Sequence, residues 1–239
     1  MATAGLADWL ALHGCSAEQM LTLRIEVLAR VGFAPSSLPD LPSAEAVWAM
    51  AAEALTVAFP DESALIARAR DHTSRNLAAD PARFPRAFTL WQPPYVSCPA
   101  GLAGMRKLLT IAHEFGHACQ IGACGAQPPP ILREIAAYLA ELAFLGHLAQ
   151  VHPALHQDAR TTFDATTQRL AAGAGQRLRA VLIAGEGTYR YDWNYPPARA
   201  VAMKLWHQAD RTGSWAAFEG ASLALLKTIG DDPASAPGT

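Results

Sequence analysis

Residues 108–120 read Leu-Leu-Thr-Ile-Ala-His-Glu-Phe-Gly-His-Ala-Cys-Gln. Apolar Leu108, Leu109, Ile111 and Ala112 lead into His113 and His117, four residues apart. On a helix that spacing puts both imidazoles on one face, one turn apart. They can then address a single metal ion, with Glu114 beside the water such an ion would activate. Given the His and Glu content, this H-E-x-x-H spacing arises by chance with a probability of roughly 0.01, so the pattern favours function. Gly116, between the histidines, permits close packing beside the site.

A catalytic zinc site needs a third protein ligand and an open position. Downstream carboxylates are Glu134, Glu141, Glu186 and Glu219. Glu134 and Glu141 share a helix face but lie ~10.5 Å apart along its axis, too far to bind one ion together. One of them is therefore a ligand; the other orients a ligand, forms a salt bridge or has no special role. His147, His152 and His156 are rival ligands. The last two repeat the four-residue spacing, but no Glu stands between them and Pro153 opens that segment, so all three read as surface histidines.

Outward from the motif, the chain reads mostly as helix. Ala accounts for 50 of 239 residues, which argues against an all-β protein. Helices are expected at 4–13, 16–31, 44–58, 62–79, 102–121, 131–151, 153–171, 196–211 and 214–229. Ser16 and Gln19 form a capping-box signature, and Leu21, Ile25 and Leu28 repeat at helical spacing. Asp61 opens the fourth helix and Gly122 follows the motif helix as a C-terminal stop. Residues 33–43 read as a Pro/Ser loop, 123–130 and 185–197 as loops, and 231–239 as a frayed tail. The five prolines within 81–101 flank one β-rich run, Ala87–Trp91, which predicts one or two short strands at a sheet edge. Residues 86–92 could serve as a docking edge for an extended peptide, or equally as a plain hairpin.

Several classes are excluded or disfavoured. With 51% hydrophobic and 17% charged residues the chain is not wholly disordered. A net charge of −2 gives no broad footprint for nucleic acid or an anionic membrane. The apolar segment 135–151 contains Glu141 and His147, which argues against a membrane span. The N-terminus carries Asp8 and lacks a basic region, making it a poor signal peptide. Cys15, Cys98, Cys119 and Cys124 do not form a disulfide framework; Cys119 and Cys124 read as free thiols, and a cytoplasmic location is expected.

The sequence HEFGHA at 113–118, followed by Glu-Ile-Ala-Ala-Tyr-Leu-Ala-Glu at 134–141, resembles the thimet oligopeptidase and oligoendopeptidase F family of zinc peptidases. The likeness spans roughly 102–205, and only 113–141 is specific. It implies a mainly α, zincin-like catalytic domain with a small edge sheet or hairpin. The division expected is one domain over 1–239, with a helical part at 1–80, a catalytic part at 81–230 and a tail at 231–239. By local pattern Glu134 is the third zinc ligand and Glu141 matches the family's second Glu. The interval before that helix is about seven residues shorter than usual, which by length alone points to Glu141; loops absorb deletions more readily than helix faces, so Glu134 is the expected ligand. Gln120 stands where the family usually has a third His, and residues 157–188 lack the His often found upstream of its Tyr-rich segment. The chain is also much shorter than most members.

The resemblance further implies that a tyrosine of the 185–197 segment stabilises the developing oxyanion. Tyr189, Tyr191 and Tyr195 are the candidates, with Tyr195 the best match and Gly185 and Gly187 giving that loop freedom to move. The expected function is hydrolysis of peptide bonds in small or modified peptides by a Zn²⁺-activated water, with Glu114 as general base and no nucleic-acid or membrane partner. Alternatives are a metal-dependent tailoring enzyme for a peptide or natural product, and a non-catalytic zinc-binding scaffold. Intact Glu114 argues against the scaffold.

Overall fold

A computed structural model describes residues 4–23, 41–208 and 212–230. The expected continuation of the second helix through Ile25 and Leu28, the Pro/Ser loop up to residue 40 and the tail at 231–239 lie outside the described residues. The helices are α1 (Leu6–His13), α2 (Ala17–Thr22), α3 (Ala44–Ala58), α4 (Ser63–His72), α5 (Gly104–Ala123), α6 (Pro130–Val151), α7 (Pro153–Leu170), α8 (Gln176–Ala184), α9 (Tyr195–Trp206), α10 (Thr212–Trp215) and α11 (Leu223–Gly230). The strands are β1 (Ser74–Ala79), β2 (Phe88–Leu90) and β3 (Tyr95–Pro99). The protein is thus mainly helical with one small sheet. No described helix is long and apolar enough to cross a membrane.

The centre is α6. From Ile131 to Leu148 it is buried on nearly every face, and α3, α5, α7 and α9 pack around it. A helix apolar all round belongs inside a protein. Its near-uniform Ala and Leu content lets those neighbours close in, and Pro130 in its first turn costs no hydrogen bond. Helices α3 and α4 pack directly on α5, so the N-terminal elements share one core with the motif helix.

Three expectations are corrected. The helix predicted over 62–79 ends at His72, after a 3-10 turn at Pro60–Glu62, and Ser74–Ala79 is a strand. Leu77, Ala78 and Ala79 favour helix locally, but parallel pairing with Tyr95–Pro99 overrides that preference, and Leu77 and Ala79 alternate into the core. The sheet order is β1-β3-β2, so β3 is central while β2, inside the predicted run, is an edge strand antiparallel to β3. Next, α5 runs through Gly122 to Ala123, and Cys124 ends it by donating its N–H to Gln120 O at 2.8 Å. Finally, the chain stays helical past residue 171: a π-turn at Ala171–Gly175 leads into α8, where Gly173 and Gly175 obscure the helical pattern.

The N-terminus fixes the aromatic segment. Gly5 bridges to Thr188, Tyr189 N–H donates to Ala4 O, and the Trp9 indole donates to Asn194 Oδ1 at 2.8 Å. Gly185 has φ +76° and closes α8, whereas Gly187 serves close packing: a Cβ there would lie 2.7 Å from Val181 Cγ1. The loop is pinned rather than free.

Candidate metal centre

Two facing helices build the centre. Helix α5 presents His113, Glu114 and His117, with the two imidazole rings 4.9 Å apart and nearly perpendicular. Helix α6 presents Glu134 from its second turn. Gly116 brings the helices together: a Cβ there would fall 2.8 Å from Ala137 Cα and Ala140 Cβ and 3.0 Å from Ala136 O. Behind the seam, Gln120 is fully buried and its amide donates to Leu132 O and Ala217 O at 3.1 and 2.9 Å. The residue at the family's extra His position therefore anchors the first turn of α6 and takes no place in the site.

Ligand atoms of His113, His117 and Glu134 lie within 4.8 Å of one another, and among the described residues no other such group occurs. The tyrosine hydroxyl of Tyr191 donates to Glu134 Oε1 at 2.8 Å. Glu134 Oε2 is buried, 3.3 Å from His113 Nε2, and has no hydrogen-bond partner. Sealed from water, that oxygen meets only the His113 ring, and a cation between it and the two imidazoles would satisfy all three groups. These three residues could hold a metal ion, and the donor set fits one.

Glu141 occupies a different place. Its Oε1 lies 2.7 Å from His113 Nδ1, and its Oε2 accepts from Arg199 Nη1 at 3.0 Å. Arg199 is fully buried, bonded to Thr167 Oγ1 through Nε and Nη2, and stacked 3.5 Å over the Phe163 ring. With Nδ1 engaged by Glu141, Nε2 of His113 is the nitrogen that faces Glu134, the arrangement that orients a ligating imidazole.

Glu114 faces a cavity of about 280 Å³ that it shares with His113, His117, Glu134, Tyr191 and Tyr195. Its Oε2 accepts a 2.6 Å hydrogen bond from the Thr89 hydroxyl, on the edge strand β2. Ala87, Phe88 and Trp91 line the same cavity, so the predicted β run is one of its walls. Burial pushes the Glu114 carboxyl up to about 7 against the charge of His113 and the Thr89 hydrogen bond. Burial would also raise Glu134, but the facing His113 ring and the charges of the histidines hold it at about 2. Burial disfavours charge on both imidazoles: it takes His117 down to about 3, while the facing carboxylates of Glu134 and Glu141 outweigh it at His113, which rises to about 10.

Of the three tyrosines, Tyr191 and Tyr195 line the cavity, packed edge-on at 5.7 Å. Tyr189 does not line it. Its hydroxyl accepts from Asn194 Nδ2 and its ring packs on Trp193. His147 lies 3.7 Å from Glu53, and neither it nor His152, His156, Glu186 or Glu219 joins the cluster. All four cysteines are unpaired. Sequence reasoning missed Thr89, Arg133, Arg199 and Thr167. Only Arg199 carried a local hint, as the first charge in the otherwise apolar start of α9.

No family model, curated protein or solved structure matches this chain.

Proposed function

We propose that the protein is a zinc-dependent metallopeptidase with a zincin-like catalytic domain, of the kind its HEFGHA and Glu134–Glu141 segments resemble. The observation that carries this reading is the buried grouping of Glu134 with the two imidazoles of His113 and His117, with Glu114 in the same cavity. Two imidazoles and one carboxylate suit Zn²⁺ with a position left open. His113, His117 and Glu134 would hold the Zn²⁺, which when bound would supply Lewis acidity for the water and the scissile carbonyl.

The chain's own groups do the rest. Glu114 takes a proton from the attacking water as its oxygen bonds to the carbonyl carbon, and returns that proton to the leaving nitrogen as the C–N bond breaks. The Thr89 hydroxyl donates to Glu114 and favours its ionised, proton-accepting form against the burial that raises its pKa. Tyr195, at the cavity wall, donates to the developing oxyanion. Tyr191 and Glu141 position Glu134 and His113. The unpaired edge of β2 offers backbone groups to an extended peptide beside Glu114.

The test is metal analysis of the purified protein, followed by hydrolysis of quenched peptide libraries by the wild type and Glu114→Gln. One zinc per chain and turnover are expected of the wild type. The variant should keep its zinc and lose turnover by about 10²–10⁴-fold. Loss of zinc along with activity would reassign Glu114 as a ligand. Zinc without turnover of any peptide would overturn the peptidase reading.

A further inference from the structure

Arg133 stands beside the metal cavity without a partner. It precedes Glu134 on α6, is half-buried, and lines the cavity with Gln127. Its guanidinium lies 5.9 Å over the Tyr191 ring, and its Nε is sealed from solvent with no hydrogen bond. Elsewhere Arg75, Arg160 and Arg199 each meet a carboxylate, at 2.7, 3.0 and 3.0 Å. Among the described residues Arg133 meets none. A guanidinium that is partly desolvated and unpaired is unfavourable unless an anion comes to it.

The charge balance of the cavity points the same way. Its ionisable groups are Glu114, Glu134, His113, His117, Arg133, Tyr191 and Tyr195. Once a divalent cation offsets Glu114 and Glu134, Arg133 leaves the cavity net positive. Asp192, the nearest acid on the aromatic segment, is committed to Arg177 and Arg190. A second cavity of about 260 Å³ shares His113 and Tyr195 with the first; Leu109, Phe163 and Leu170 give it apolar surface, while Arg106 and Arg169 also line it. A peptide can therefore lie across the metal ligands, with its body in the second cavity and an anionic end towards Arg133.

We propose that Arg133 is a substrate-carboxylate site: the metal cavity selects peptides that place a carboxylate, from the chain terminus or from an acidic side chain, against its guanidinium next to the scissile bond. A planar guanidinium pairs with a carboxylate through two parallel N–H donors, which a neutral amide cannot match. The small cavity keeps that carboxylate close to the reacting carbonyl. The inference rests on the peptidase reading for the word substrate, but the anion site itself does not.

The experiment is calorimetric titration of zinc-loaded and zinc-free Glu114→Gln protein, which does not consume the ligand. Three probes are used: N-acetyl-Ala-Ala as the free acid, the same peptide as its amide, and N-acetyl-Ala-Asp amide. At least one acid should bind 10-fold or more tightly than the neutral amide, and which one does so identifies the source of the carboxylate. Adding Arg133→Met or Arg133→Gln should remove that gap while leaving the neutral probe within twofold and zinc content unchanged; Arg133→Lys should restore part of it. No gap overturns the proposal because no carboxylate is then selected, and a gap that survives both neutral substitutions overturns it because the anion then sits on the metal or on Arg106 and Arg169. Equal weakening of all three probes overturns it too, because Arg133 would then only pack. An Arg133-dependent gap in a protein whose wild type cleaves no peptide keeps the carboxylate site and removes the peptidase reading.

Discussion

One wall of the metal cavity is the seam between α5 and α6; the other is assembled from β2 and the segment from Tyr191 to Tyr195. At the seam, each functional side chain sits on a long helix, and Gly116 sets the spacing against Ala137 and Ala140. Across the cavity, Thr89 belongs to a three-residue edge strand and Tyr191 to a 3-10 turn tied to α1 through Asn194 and Trp9. The first wall supplies the metal ligands. The second holds Glu134 and Glu114 by one hydrogen bond each. The difference separates what must bind the ion from what must tune it, and substitutions on the two sides should fail in different ways.

The largest effect is expected at the seam. Glu134→Ala should abolish zinc retention in a chelator competition, and activity with it. Glu141→Ala leaves the three ligands in place but frees the His113 ring, so zinc affinity should drop only by about 10–100-fold. If Glu141→Ala strips the metal and Glu134→Ala does not, the roles on α6 are reversed and the comparison breaks.

On the opposite wall the two tyrosines should part company. Tyr195→Phe should lower kcat by about 10²-fold with zinc affinity unchanged, as loss of an oxyanion donor does. Tyr191→Phe leaves Glu134 Oε1 without its donor and should weaken zinc by about 10-fold. An effect of Tyr195→Phe on zinc binding alone would assign it to ligand support.

Gly116→Ala tests the seam as architecture. The added methyl meets backbone and a short side chain, which cannot swing aside, so α5 and α6 must separate. A destabilisation of about 1–3 kcal/mol is expected, read as a Tm drop of roughly 2–4 °C per kcal/mol. An unchanged Tm would show that the helices can slide.

The smallest effect falls on Thr89→Val. The hydroxyl bond favours ionised Glu114, so its loss raises the carboxyl's pKa. The acid limb of kcat/KM should move to higher pH while the zinc content and the activity at high pH stay near the wild type, with loss at neutral pH of a few-fold. A limb that does not move would remove Thr89 from the mechanism.

His113, Glu114, His117 and Glu134 were legible because their relation is local: a spacing of four on one helix, and a carboxylate in the second turn of the next. The same helical period separated Glu134 from Glu141, and the structure groups Glu134 with His113 and His117 while Glu141 lies against His113 Nδ1. Arg199 was not legible as Glu141's partner, because they stand 58 positions apart and α9 must dock on α6 before they meet. Thr89 and Arg133 looked like any other polar residues for the same reason.

Ser74–Ala79 shows the limit from the other direction. Its residues favour helix, and only the partner strand at Tyr95–Pro99 makes it a strand. Backbone periodicity and helix propensity are written in neighbouring residues, so the helical class, the motif and its ligands could be read along the chain. Which tyrosines line the cavity, what holds Glu141, and whether Arg133 meets a carboxylate depend on contacts between residues far apart in sequence, and those exist only once the helices have packed.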